Sequence, residues 1–486
     1  MRKTFEQQIT LDIVPINEVE LDLKCRDASV KIGLALLEIF NNEEYSKKLF
    51  TLLELYLMKD KRLTGRTGMD LWQIFVMAQF RLGMNLTYDR LYHMVNQDRM
   101  VRTLLGIETT GFGSVRKVFK YQTILDNLGL LTDEMLHKIN QTIVEFGHHT
   151  FKKKEEEALC LKSDSYVLES NVHFPTDYNL LWDCCRKMLD FVGKFTFKYP
   201  EIEGWRKLKS WRKELKNASR NVGQISGRAG KNKEELIKYS VTQYLKKAQL
   251  LVDKIEAEKD GLPIMKVSDV AILYELERFI VLTKKHMDLL RRRVLQGEKI
   301  PQSEKMFSIF ETYTEWVNKG KKNPNVELGK KITITTDQYH LIIDYKIMNH
   351  QADSEVVIDI ADRILVNYRI KSWSFDKGYF NKITKELLKT EVEQVIMPKK
   401  GKCNKAELAE EHEKTFKKLR NKHSAVESNI NELENRGLDR CPDRGYHHFI
   451  QYVGIGVCAY NLHKIGAKLL KDKSKKAQKR PMKLVA

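Results

Sequence analysis

The sequence predicts a mixed α/β fold: an all-helical N-terminal region, then a domain of strands and helices broken after its first strand by a large helical insertion. Three observations predict it. Residues 158–169 (ALCLKSDSYVLE) alternate apolar and polar side chains with the period of a half-buried strand. Residues 179–320 then read as a long helical block rich in Lys and Arg. Strand patterns return only at residues 330–348 (KKITITTDQYHLIIDYKIM).

In order along the chain, residues 28–40 and 45–57 carry apolar side chains at three- and four-residue steps, as amphipathic helices do. Residues 69–82 (MDLWQIFVMAQFRL) are apolar enough for a buried helix. Residues 87–107 continue as a helix with Thr87 as its N-cap. This pair, joined by a turn near residues 83–85, has the form of a helix-turn-helix, with Arg90, Arg99 and Arg102 as candidates to reach phosphates or bases. Within the helical block, residues 233–259 and 270–295 are long amphipathic helices, separated from their neighbours by the breakers at 227–230 (GRAG) and 261–263 (GLP). Arg291, Arg292 and Arg293 lie together at the end of the second, with Lys284 and Lys285 two turns earlier, and are candidates to hold DNA.

Residues 330–348 form a hairpin; 353–368 a helix; 370–376 (IKSWSFD) a strand; 381–389 a helix; 392–398 (VEQVIMP) a strand. A long helix or helix pair covers 405 to about 435. With the insertion set aside, the order is three antiparallel strands, then alternating helices and strands. That is the order of a ribonuclease-H-like domain. The domain divisions expected are 1–60, 61–152 (DNA-binding helices), 153–190 and 325–470 (the two parts of the catalytic domain), 191–324 (basic helical insertion) and 471–486 (basic tail).

Three acids fall on three of these elements. Asp164 lies on the first strand, Asp376 at the end of the later strand before a glycine turn, and Glu427 on the late helix (RNKHSAVESNINELENRG). Two strand-borne aspartates and a helix-borne glutamate suit a pair of Mg²⁺ or Mn²⁺ ions, which prefer carboxylate oxygens and leave positions for water and phosphate. Glu434 lies two turns beyond Glu427 on the same helix face, and Glu432 is near, so either is an alternative.

The chain has 486 residues and a formal charge of +20, so a polyanionic partner is expected. No apolar run reaches the roughly 18 residues needed to span a membrane, and residues 1–18 lack the apolar centre of a signal peptide. A cytoplasmic protein without a membrane partner is expected. The seven cysteines have no metal-binding or paired spacing and read as reduced, packed side chains.

The words DSYVLESNVHFPTDYNLLWD, SFDKGYF, MPKKGK and RNKHSAVESNINELENRGLDRCPDRG occur in that order over residues 164–445, after the helical stretch 65–107. Together they resemble the DDE transposases of bacterial insertion sequences, most closely the ISNCY group. The resemblance covers most of 64–186 and 330–466. It implies a metal-dependent polynucleotidyl transferase that binds double-stranded DNA at terminal inverted repeats and cuts there. The freed 3′-hydroxyls would then be joined to target DNA by a homodimer or larger assembly. It selects Glu427 over its neighbours as the third acid, and makes Asp164 the ligand shared by both ions.

Many members of that group have an arginine one turn before the glutamate, where this chain has His423; Arg420 lies one turn further back. Lys399, Lys400 and Lys402 follow a strand close to this helix and are candidates for phosphate contact. The HFPTD turn at 173–177 either shapes the site or is structural, with Asp177 capping the next helix. Trp182, Trp205, Trp211 and Trp373 are core residues or platforms for a flipped base. The same acids would also serve a ribonuclease-H-like nuclease that cuts without joining. A relative that has lost activity would remain a DNA-binding regulator.

Overall fold

The structure is a computed structural model and describes residues 13–58, 68–108, 117–318 and 325–479. Contacts divide the chain into two compact units: Met1–Asn171 with Val317–Ala486, and Val172–Trp316.

The first unit begins with α1 (Ala28–Asn41), capped by Asp27, and α2 (Glu43–Leu57), capped by Asn42. The side chain of Asp70 then caps α3 (Leu71–Gly83), which is buried along its whole length. Thr87 caps α4 (Tyr88–Gln97), as its sequence position suggests. Asp98 then accepts from the Val101 amide at 2.9 Å and starts α5 (Arg99–Leu104), so residues 87–107 form two helices and not one. An Asp in this position competes with helix continuation by capping the next turn. α6 (Tyr121–Leu128) and α7 (Asp133–Thr150) lead into β1 (Leu159–Ser170).

The second unit contains α8 (Asp177–Lys198), α9 (Leu208–Ser226), α10 (Lys233–Glu258) and α11 (Val267–Leu290). Its core includes Leu181, Cys184, Cys185 and Met188 of α8, Leu215 of α9, Tyr244 and Leu251 of α10, and Leu276 and Ile280 of α11. The unit therefore begins at Val172 and not near residue 191, because the apolar face of α8 belongs to this core.

The chain returns through β2 (Glu315–Asn318), β3 (Val326–Thr336) and β4 (Ile342–Ile347). α12 (Val357–Leu365), β5 (Ile370–Phe375), α13 (Lys382–Glu391) and β6 (Gln394–Ile396) alternate, followed by α14 (Lys405–His412) and α15 (Lys414–Leu433). A two-residue strand, β7 (Arg440–Cys441), precedes the long α16 (Tyr446–Lys479). The strands make one mixed, open sheet. β4 pairs with β3 and β3 with β1, both antiparallel; β1 pairs with β5 and β5 with β6, both parallel. β2 also pairs with β3, and β7 extends β1.

Alternation along β1 decides which side chains reach which face. Leu159, Leu161 and Ser163 are buried, whereas Cys160, Lys162 and Asp164 are half-exposed. Leu159 and Leu161 join Trp373 and Phe375 of β5 and Val357 and Ile360 of α12 in one core. Behind Asp164, the Ser163 hydroxyl bonds Thr335 Oγ1 at 2.7 Å and accepts from Trp373 Nε1 at 2.8 Å. This buried link holds β1, β3 and β5 in register where the acids emerge.

α16 was not apparent from the sequence as a central element, yet it is buried almost throughout residues 449–463 and packs on α1, α3 and α7. Gly466 lets α1 approach: a Cβ there would collide with the backbone carbonyl of Lys31. The divisions expected at residues 60 and 152 therefore separate no compact units, since the N-terminal helices and the sheet fall in one. Residues 471–479, read as the start of a basic tail, extend α16, and 480–486 lie outside the described residues. All seven cysteines are free. Among the described residues, no helix is long and apolar enough to cross a membrane.

Candidate active site

Strand register brings two of the acids near each other. β1 and β5 run parallel with Ser163 beside Phe375, so the next residue of each chain, Asp164 and Asp376, leaves the sheet at the same level. α15 packs across β1, β5 and β6, with Val426, Ile430 and Leu433 buried and Glu427 exposed. His423 Nδ1 lies 3.0 Å from Ser374 Oγ, which ties the helix to β5 one turn before Glu427.

The electrostatics record this convergence. The Asp164 carboxyl is pushed up to about 7, first by burial and then by the charges of Asp376, Glu427 and Asp353, against the lowering effect of the Ser165 amide. That amide donates to Asp164 Oδ1 at 2.7 Å. Glu427 is thus the α15 acid that acts on Asp164. Glu434 lies beyond the helix, in the π-turn Glu434–Leu438, and acts on the Tyr166 hydroxyl. Glu432 is engaged with Lys464, Arg436 and His463 of its own surroundings and serves packing.

Asp353 is an acid that the sequence did not single out. It opens the short turn Asp353–Glu355 before α12, where an Asp ordinarily reads as a helix-start residue. Its Oδ1 accepts from Ser165 Oγ at 2.7 Å and its Oδ2 is 3.0 Å from Lys331 Nζ. Gly378, just after Asp376, leaves room for it: a Cβ there would sit 3.0 Å from Asp353 Oδ2. No local signal marks this meeting, because the partners lie on β1, β3 and the turn after β5.

The charges of Asp376, Glu427 and Asp353 all act on Asp164, and carboxylate oxygens are hard donors that suit Mg²⁺ or Mn²⁺ better than a soft metal. Among the described residues, no three or more His, Cys, Asp or Glu side chains are already gathered into a ligand cage.

The basic candidates divide. Arg90 and Arg99 are exposed on α4 and α5. Arg102 is fully buried and donates to the carbonyls of Glu108 (2.6 and 2.9 Å), Lys117 (3.1 Å) and Val95 (3.3 Å), so its guanidinium is taken up by its own chain and is not at the surface where DNA would lie. Its pattern position resembled a surface arginine because the carbonyls it serves are invisible in sequence. Lys399 binds both oxygens of Glu407 at 2.7 and 2.8 Å, which occupies its charge; Lys400 and Lys402 are exposed. Arg420 is exposed, 3.7 Å from Glu411. His423 is pushed down to about 4, by burial and by Lys162 against the attraction of Asp376, so it is neutral at pH 7. Its Nδ1 faces Ser374 and its Nε2 is buried without a partner among the described residues, so neither nitrogen is open to a phosphate, contrary to the sequence expectation.

In the second unit the three adjacent arginines differ. Arg292 is held by Glu298 and Glu304, and Arg293 by Asp177, while Arg291 is exposed. They occupy the π-turn Arg291–Leu295 after α11. Asp177 thus pairs with Arg293, and Thr176 takes the N-cap position without a side-chain bond. Trp205 and Trp373 are buried, and Trp182 packs on the core of its unit.

No family model, curated protein or solved structure matches the chain.

Proposed function

We propose that the chain is a metal-dependent DNA transposase of an insertion sequence, with a ribonuclease-H-like catalytic domain in the first unit. The observation that carries this reading is the convergence of Asp164, Asp376 and Glu427 on one another from two parallel strands and a crossing helix. The strand order β4-β3-β1-β5-β6, antiparallel then parallel, supports the fold assignment. The charge of +20 supports nucleic acid as the phosphodiester.

Asp164, Asp376 and Glu427 would hold two Mg²⁺ or Mn²⁺ ions. Bound there, the ions would supply acidification of the attacking water or hydroxyl and stabilisation of the leaving oxygen. The Ser165 amide keeps Asp164 Oδ1 fixed, and Lys331 and Ser165 Oγ keep Asp353 oriented beside it. His423, one turn before Glu427, ties α15 to Ser374 of β5.

Water would cleave a phosphodiester at each transposon end, leaving a 3′-hydroxyl and a 5′-phosphate. The 3′-hydroxyl would then attack a target phosphodiester, forming one ester bond and releasing one target 3′-hydroxyl. Two ends handled together call for a homodimer or larger assembly on DNA. The DNA flanking the gene tests the reading. Inverted repeats bounded by a short direct duplication are expected. Purified protein should nick those repeats in Mg²⁺ and join pre-cut ends to a plasmid. Nicking without joining would leave a nuclease, and binding without either would leave a regulator.

A further inference from the structure

We propose that the helical unit carries a groove for an unpaired nucleic-acid strand, with Trp211 as its stacking platform. The inference uses residues of this unit alone and does not require the acids of the first unit to be catalytic.

Three concavities adjoin on the surface of α9, α10 and the turn after α11. The first, about 520 Å³, is lined by Gly204, Arg206, Lys207, Lys254 and one side of Trp211. The second, about 270 Å³, takes Trp211 again with Lys246, Lys247 and Leu250. The third, about 340 Å³, shares Lys246 and Leu250 with the second and ends at Arg291. The shared residues set the three side by side along one surface. Trp211 is half-buried between the first two, and Leu250 is 54% exposed at the junction of the others. Trp211 packs on the core of the unit and lines both concavities.

Charge selects the occupant. Six cationic side chains line the groove against two acids, Glu203 and Glu214. Glu214 is already neutralised by Lys247 at 2.9 Å, and Lys254 pairs with Glu258 at 2.7 Å. Arg206, Lys207, Lys246 and Arg291 make no ion pair within 4.0 Å among the described residues, and Arg206, Lys207 and Arg291 are exposed. An anionic chain is expected along this line. The apolar floor distinguishes its form. Duplex DNA presents only phosphates and sugars to a flat basic surface, whereas an unpaired strand presents base faces that stack on an indole and lie over leucine. Alternating phosphate and base contacts match cations interleaved with Trp211 and Leu250.

The test is fluorescence anisotropy of the full chain in EDTA with a labelled oligothymidylate of about 20 nucleotides, and with a duplex of the same length. Trp211→Ala should weaken single-strand binding on the order of 10-fold while changing duplex binding less than about twofold. Trp211→Phe should retain most of the affinity. Arg206→Glu and Lys246→Glu, made without touching the core, should lower the salt dependence of single-strand binding. Unchanged single-strand affinity in all four variants would overturn the proposal. So would equal losses on duplex, which would make the groove a duplex track, or equally tight binding of polyglutamate at matched charge. No cleavage of end DNA by the parent chain in Mg²⁺, with single-strand binding intact, would overturn the transposase reading and leave the groove standing.

Discussion

Asp164 and Asp376 emerge as neighbours because the parallel register of β1 and β5 sets Ser163 beside Phe375. A shift of one residue in either strand would turn one carboxylate to the opposite face, into the core that holds Trp373 and Leu161. The Ser163–Thr335 and Ser163–Trp373 hydrogen bonds guard against that slip.

The first prediction concerns the acids. Asp164→Asn, Asp376→Asn and Glu427→Gln should each abolish Mg²⁺-dependent strand cleavage, by at least about 1000-fold, and leave binding to end DNA within about twofold. Nicking assays and gel shifts in Ca²⁺ check both halves. Normal cleavage by Glu427→Gln together with loss in Glu434→Gln would move the third acid along the helix. Asp353→Asn should fall between, because Asp353 is already engaged by Lys331 and Ser165.

The second concerns pH and metal. The folded carboxyl of Asp164 lies at about 7, above its ordinary value of 3.8. A raised carboxyl favours the protonated form in the folded state, so its contribution to stability is complete below about 4 and is lost as pH rises through 7. The metal-free protein should therefore be stabilised by Asp164→Asn at pH 8 and little changed at pH 4.5. Mg²⁺ requires the ionised carboxylate, so its stabilising effect should be weak at pH 6 and strong at pH 8. Thermal melts with and without Mg²⁺ across this range decide the matter; a metal effect independent of pH would contradict it.

The third separates structural from surface arginines. Arg102→Ala leaves buried carbonyls of Glu108, Lys117 and Val95 without their donor and should cost about 3–5 kcal/mol in urea denaturation. Arg90→Ala and Arg99→Ala, both exposed, should stay within about 0.5 kcal/mol of the parent. If α4 and α5 contact DNA, these two should instead lower duplex affinity and its salt dependence.

The fourth concerns the seam between α15 and α16. Burial pushes the Glu432 carboxyl up, but hydrogen bonds from His463 and Lys464, with Arg436 nearby, outweigh it and hold it well below its ordinary range. A lowered carboxyl contributes stability above its unfolded value of about 4.5, which is lost as pH falls through the lower folded value. Glu432→Gln should cost about 1–3 kcal/mol at pH 7 and progressively less below pH 4. A loss of stability equal at pH 7 and pH 3 would show that shape and not charge holds the seam.

Local chemistry alone determined much of this protein. Alternation over 158–169 and the cap at Thr87 depend on neighbours a few residues away, so most strands and helices and their order could be read directly. The insertion was legible for the same reason, as a long helical block between strand patterns. Three acids could be singled out, but composition and spacing could not say that they meet. That depended on β1 pairing in parallel with β5, a contact across more than 200 residues of sequence. Asp353 went unnoticed because only folding brings the turn before α12 against Ser165 and Lys331. Arg102 was misplaced because burial depends on what packs above a helix and not on its own residues. α16 is the largest case: its apolar surface becomes a core only once α1, α3 and α7, drawn from the far end of the chain, close around it.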